Sequence, residues 1–169
     1  MADAFDSSAD ILQHILEIRA YLDTFVTEML RRGRVHDASK FSEAEKPAFD
    51  EAIPLLRGVS YGSPEYTEVL RRLQPAFDHH YRCNSHHPEH YGAEGIAGMD
   101  LFDLVEMVCD WMAAAKRNPK DGVNLAYNIE LFGIQDQLAA IVANTLARWP
   151  EPQCGDLLKP ERGVQDPPP

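Results

Sequence analysis

The stretch Val35-His36-Asp37-Ala38-Ser39-Lys40-Phe41 sets an imidazole and a carboxylate side by side, with a cation three residues beyond the aspartate. Imidazole nitrogen and carboxylate oxygen are ligands for a divalent metal, and a lysine beside them suits a phosphate. Adjacent side chains leave a helix in different directions, so His36 and Asp37 can reach one ion only from a helix end or from divergent directions into a crevice. A second stretch, Asp78 to Gly92, holds five of the seven histidines: His79, His80, His86, His87 and His90. It is internal and mixed with Pro, Glu, Asn and Tyr, unlike an affinity tag. On a continuing helix His80 and Asn84 share a face, and Pro88 stiffens the backbone directly after His86-His87. A rigid loop presenting imidazoles suits a preorganised metal site, and a scattered surface cluster is the bland alternative. Asp103, Glu106 and Asp110 then recur at steps of three and four on a largely apolar helix. That stripe is either a solvated acidic face or a set whose Asp110 points into the crevice of His36 and Asp37. His14 shares a stripe with Ile11, Ile18, Tyr21 and Phe25, which turns it inward as a core histidine or as a ligand.

The elements that must position these groups all read as helices. Ser7 and Ser8 cap a first helix whose apolar residues run from Ile11 to Leu30 at steps of three and four, with Gly33 as its end. A short second helix carries His36, Asp37 and Lys40. Arg31, Arg32 and Arg34 complement the first helix's dipole or add to a local positive field. Ser42 and Glu45 have capping-box spacing for a third helix through Phe49 and Ile53 to Leu56. A loop from Gly58 precedes a helix that starts at Ser63-Pro64 and runs to about Tyr81, kinked or broken at Pro75. Gly92, Gly95 and Gly98 mark a loop, Asp100 opens a helix to Ala115, and Lys116 to Gly122 is a turn. One last helix spans Leu125 to Trp149, and half of the twelve prolines crowd into the tail after it. The expected architecture is all-α, one domain over 1–149 and an extended tail over 150–169.

Composition narrows the function classes. Apolar residues are 44% and charged residues 25% of the chain, the balance of an ordinary globular protein. A net charge of −11 repels nucleic acid and anionic lipid, so neither is an expected partner. No apolar run reaches membrane-spanning length and the N-terminus is acidic where a secretory signal is basic, which reads as cytoplasmic. Cys83, Cys109 and Cys154 are too widely spaced for a zinc knuckle or a disulfide framework. Phosphate-loop, dinucleotide and serine-hydrolase motifs are absent from the sequence.

In chain order, His14, His36-Asp37 with Lys40, His86-His87, and Asp110 at the end of Leu104-Val105-Glu106-Met107-Val108-Cys109 resemble the HD-domain superfamily of metal-dependent phosphohydrolases. The resemblance implies an all-α HD-like bundle of about five to seven helices. Locally the sequence is similar to the HD-GYP phosphodiesterases, although no Gly-Tyr-Pro follows the histidine pair and Pro88 interrupts His-His-Glu. A cyclic-dinucleotide substrate is therefore not implied. His36 to Phe41, Asn84 to His90 and Glu106 to Trp111 also resemble a family of short HD-like phage and bacterial proteins with no settled reaction.

The chemistry expected is hydrolysis of a phosphoester, of a nucleotide or related small molecule, by metal-activated water. His36, Asp37, Asp110 and His14 would surround one ion, with His86, His87 and His80 around a second. So nitrogen-rich a set favours Mn, Fe, Co, Ni or Zn over Mg or Ca. Lys40 would neutralise phosphate charge, with Asn84 and Arg34 as further substrate contacts. Glu106 or Glu89 would act as general base or orient a ligand histidine. An HD-fold diiron oxygenase and a non-catalytic metal-stabilised module for a nucleotide or protein are the other classes. Homo-oligomerisation is left open.

Overall fold

The computed structural model describes residues 5–56, 64–116 and 123–150, which form helices joined by turns, with no strand among them. The protein is all-α. The predicted loop at 58–63, most of the turn at 116–122 and the tail beyond Pro150 lie outside the described residues, as does Cys154.

Helix α1, Ser8–Val35, follows from the long three-and-four apolar spacing and runs two residues past Gly33, its predicted end. It stops because the backbone becomes extended at His36 and enters the left-handed region at Asp37, with φ 56° and ψ 16°. A 3₁₀ turn, Ala38–Phe41, takes the place of the predicted second helix. Helix α2, Lys46–Leu56, follows, but the predicted Ser42–Glu45 capping box does not form. Ser42 instead closes the 3₁₀ turn, donating its N–H to Ser39, and the Glu45 side chain is drawn to His79 and His80.

Helices α3, Pro64–Arg72, and α4, Gln74–Cys83, are separated at Leu73, with Pro75 in the first turn of α4. Ala52, Val69 and Leu73 form a core across α2 and α3, joined by Phe49, Leu56, Leu70 and Phe77. Each large apolar side chain buried there contributes about 1.5–3 kcal/mol. Beyond α4 a 3₁₀ segment, Pro88–Gly98, bends sharply at Gly92 and Gly95.

Helix α5, Leu101–Ala115, starts at a capping box in which Asp100 and Asp103 satisfy each other's backbone N–H. It packs on the C-terminal part of α1, with Phe25 stacked on Phe102 at 4.8 Å, while residues 5–24 are all exposed. The predicted last helix is two: α6, Leu125–Phe132, and α7, Asp136–Ala147. Gly133 divides them at φ 61°, a conformation glycine adopts without steric cost. By their contacts the described residues divide into two compact units on either side of Gly133.

Candidate metal centre

The backbone break after α1 solves the problem posed by neighbouring His36 and Asp37. Left-handed backbone is uncommon for a non-glycine residue and recurs at functional sites; here it turns Asp37 back beside its neighbour. His36 Nε2 lies 3.5 Å from Asp37 Oδ2 and 3.6 Å from Asp110 Oδ1, so α1 and α5 converge on one point. On the other side of the same carboxylate, Asp37 Oδ1 lies 3.2 Å from His80 Nε2 and 3.5 Å from His86 Nε2. His87 completes this second group, its Nε2 3.0 Å from that of His80. Two sets of ligand atoms, His36 with Asp37 and Asp110, and Asp37 with His80, His86 and His87, thus share the Asp37 carboxylate.

A ring of hydrogen bonds fixes which nitrogen each imidazole presents. His36 Nδ1 donates to Glu106 Oε1 at 2.8 Å, and His86 Nδ1 lies 3.3 Å from the same oxygen, leaving both Nε2 atoms directed at Asp37. Glu106 is held in turn by Arg32, whose Nε donates to Oε2 at 2.6 Å. The Arg32 fork also donates to Asp103, which accepts from Ser85 and from the Tyr91 hydroxyl as well. His80 Nδ1 donates to Glu45 Oε2 at 2.9 Å, within reach of Ser39 Oγ at 3.1 Å. A carboxylate behind an imidazole sets its tautomer and raises its basicity toward a metal.

The donor chemistry fits a divalent transition metal. Asp37 Oδ1 and His86 Nε2 are buried and form no hydrogen bond among the described residues, although buried polar atoms are ordinarily paired. The two face each other, as a cation between them requires. Burial alone would raise the Asp37 pKa, yet the His80 and His86 imidazoles and the Lys40 ammonium beside it hold it well below the usual carboxylate range. The Asp110 carboxylate, working against burial and aided by Glu106, raises His36 to about 9. Burial, reinforced by His86 and His80, pushes His87 down to about 3 and keeps it a neutral donor.

The chain matches, over residues 3–148, the family described as Family of unknown function (DUF5662). It belongs to that family. No curated protein and no solved structure matches it.

In this DUF5662 member the structure gathers His36, Asp37, Asp110, His80, His86 and His87, six of the seven predicted ligands. His14 is the correction. It is exposed on α1, the same continuous helix that ends beside His36, and a rise of 1.5 Å per residue sets it about 33 Å from that end. The apolar stripe it shares continues beyond the part of α1 that packs on α5, so the stripe does not turn it inward.

Lys40 is at the site, with Nζ on Asp37 Oδ2 and 5.5 Å from the Phe49 ring centroid. Asn84 braces the site: its amide donates to Ser39 Oγ and the His80 carbonyl, both at 2.8 Å. Arg34 and Glu89 are exposed and belong to neither ligand group. Both Glu106 oxygens accept hydrogen bonds, from Arg32 and from His36, and Glu106 also falls with His36 and His86 in a third group of donor atoms able to hold a metal ion.

Sequence reasoning placed Arg32 at the helix dipole and Glu45 in a capping box, and so missed both as supports of the histidines. Arg32 had a signal in the inward stripe of Asp103 and Glu106, which needs a buried cation. Glu45 had none.

Proposed function

We propose that this protein is a metal-dependent phosphohydrolase acting on a small phosphoester, with a nucleotide as the favoured substrate class. The observation that carries the reading is the meeting of His36, Asp37 and Asp110, with His80, His86 and His87 completing a second position across the shared Asp37. An HD-like arrangement is the corresponding proposal for the fold family, since a histidine-aspartate pair and a distant aspartate from another helix share one centre. A divalent transition metal bound there supplies Lewis acidity toward a phosphoryl oxygen and lowers the pKa of water to near neutrality.

The chain's own groups supply the rest. His36 and His86 are held by Glu106, and His80 by Glu45, so the donors need little rearrangement on binding. Lys40, about a third exposed, can move from Asp37 to a phosphate oxygen and offset the charge that grows there. Asp110 is also about a third exposed on its side chain and held anionic by His36, which places a proton acceptor at the open side. Water oxygen bonds to phosphorus, the ester P–O bond breaks, and the departing oxygen takes up a proton.

The test is metal analysis of the purified protein, followed by phosphate release from a nucleotide panel with Mn, Co, Ni, Fe, Zn or Mg, with and without O₂. Phosphate release that needs a transition metal and not O₂ supports the reading. An O₂-dependent product overturns it in favour of a diiron oxygenase. Metal and nucleotide binding without turnover overturns it in favour of a binding module.

A further inference from the structure

We propose that the two ligand sets on either side of Asp37 are unequal. The set of His80, His86 and His87 keeps a resident transition-metal ion, whereas the set of His36 and Asp110 takes an exchangeable ion whose place the Lys40 ammonium contests. The inference rests on the metal-dependent reading above and adds to it an order of filling and a further role for Lys40.

The sets differ in donor number, burial and support. With Asp37 Oδ1 the three imidazoles make a set of four, the full complement of a closed tetrahedral ion. Asp37 Oδ1 lies 3.2 Å from His80 Nε2 and 3.5 Å from His86 Nε2, and the Nε2 atoms of His80 and His87 are 3.0 Å apart. Metal–nitrogen bonds of about 2.0–2.1 Å in a tetrahedron place the donors about 3.3 Å from one another, so these separations outline such a cage. His80 and His86 are only 1% and 2% exposed, with Glu45 and Glu106 behind them. Asp37 Oδ1 and His86 Nε2, buried and without a hydrogen bond among the described residues, both belong to this set.

The other set has three protein donors, His36, Asp37 and Asp110. The side chains of His36 and Asp110 are 28% and 31% exposed, which leaves the open side that an ion accepting water or substrate needs. Its share of Asp37 already meets a cation: Lys40 Nζ donates to Oδ2, 3.5 Å from His36 Nε2, and leaves Oδ1 without a hydrogen bond. An ion entering there meets an ammonium at close range, and like charges that close repel. The four-donor set therefore fills first, and the three-donor set fills as Lys40 turns away to solvent or to a phosphate.

Calorimetric titration of the chelator-treated full chain with Co²⁺, followed in parallel by visible absorption, tests this. Two events of one ion each are expected, with the intense bands of four-coordinate cobalt growing in the tighter one. Their Kd values should differ by more than about 100-fold, because a whole ligand separates the sets and even an outer partner is worth about 10–100-fold. Asp110→Asn should delete the weaker event and spare the tighter, and His87→Ala should weaken the tighter. Lys40→Met, at a part-exposed side chain, should strengthen the weaker event severalfold and leave the tighter alone; it decides the matter should the other variants misfold. Equal affinities, a single ion in the wild type, a tight event lost in Asp110→Asn, or a weak event indifferent to Lys40→Met each overturn the proposal. Unequal ions in a chain that releases no phosphate would sink the hydrolase and keep this inference, equal ions in an active chain would do the reverse, and a chain that binds no cobalt loses both.

Discussion

Asp37 does three things in a few atoms: it breaks α1, takes Lys40, and stands between two sets of imidazoles. Asparagine tolerates the left-handed region as aspartate does but brings no charge, so Asp37→Asn separates the ligand from the turn. The variant should fold with helical content intact and lose more than about 100-fold in metal affinity, beyond the 10–100-fold range typical of outer partners. Metal titration followed by calorimetry checks this. Glu106→Gln makes the contrasting case. Its target is the support of His36 and His86, so metal affinity should fall about 10–100-fold and activity should return at higher metal concentration. Activity that stays lost at saturating metal would instead make Glu106 the base. At this scale the sequence was readable where residue type alone speaks: His36, Asp37, Asp110 and the histidines near residue 86 carry donor atoms able to hold a metal ion. It was unreadable for Glu45, whose role depends on α2 and α4 lying side by side.

Between elements, the clamp of Arg32 on Asp103 and Glu106 joins α1 to α5 and sits directly behind the ligand histidines. Burial would raise the Asp103 pKa, but hydrogen bonds from Ser85, Tyr91 and Arg32 outweigh it and hold the value below 3.8. A carboxylate depressed in the folded state stabilises the fold above its unfolded pKa, and that contribution fades as pH falls toward the folded value. Asp103→Asn should therefore cost about 1.5–3 kcal/mol at neutral pH, because Ser85 and Tyr91 lose a charged acceptor and Arg32 is left with Glu106 alone. The loss of stability on acidification below about pH 4 should also be shallower than in the wild type. Urea denaturation at several pH values measures both. Elements were legible where spacing is long and regular, as in α1 and α5. They were misread where a single residue decides: Gly33 does not end α1, Gly133 divides the last helix, and Ser42 closes the 3₁₀ turn instead of forming a capping box for α2. Each has local chemistry compatible with two backbones, and tertiary contacts choose between them.

Across the whole molecule, the centre draws on the break after α1, on α4, on the turn after α4 and on α5, segments far apart in sequence. Bringing that many imidazoles and carboxylates together in a chain of net charge −11 costs electrostatic free energy, which a divalent cation would offset. An ion bound by the folded chain and not by the unfolded one adds about 2.7 kcal/mol at a hundredfold excess over its Kd. In a domain of this size that raises Tm by roughly 5–11 °C, since each kcal/mol shifts it about 2–4 °C. Thermal unfolding should therefore move upward on adding Mn, Co, Ni, Fe or Zn to chelator-treated protein, and the gain should vanish in His86→Ala. Mg should do less, because the donor set is rich in nitrogen. A Tm indifferent to every one of these ions would mean that the four segments are held by packing and hydrogen bonds alone. The unpaired atoms of Asp37 and His86 would then have no cation to explain them.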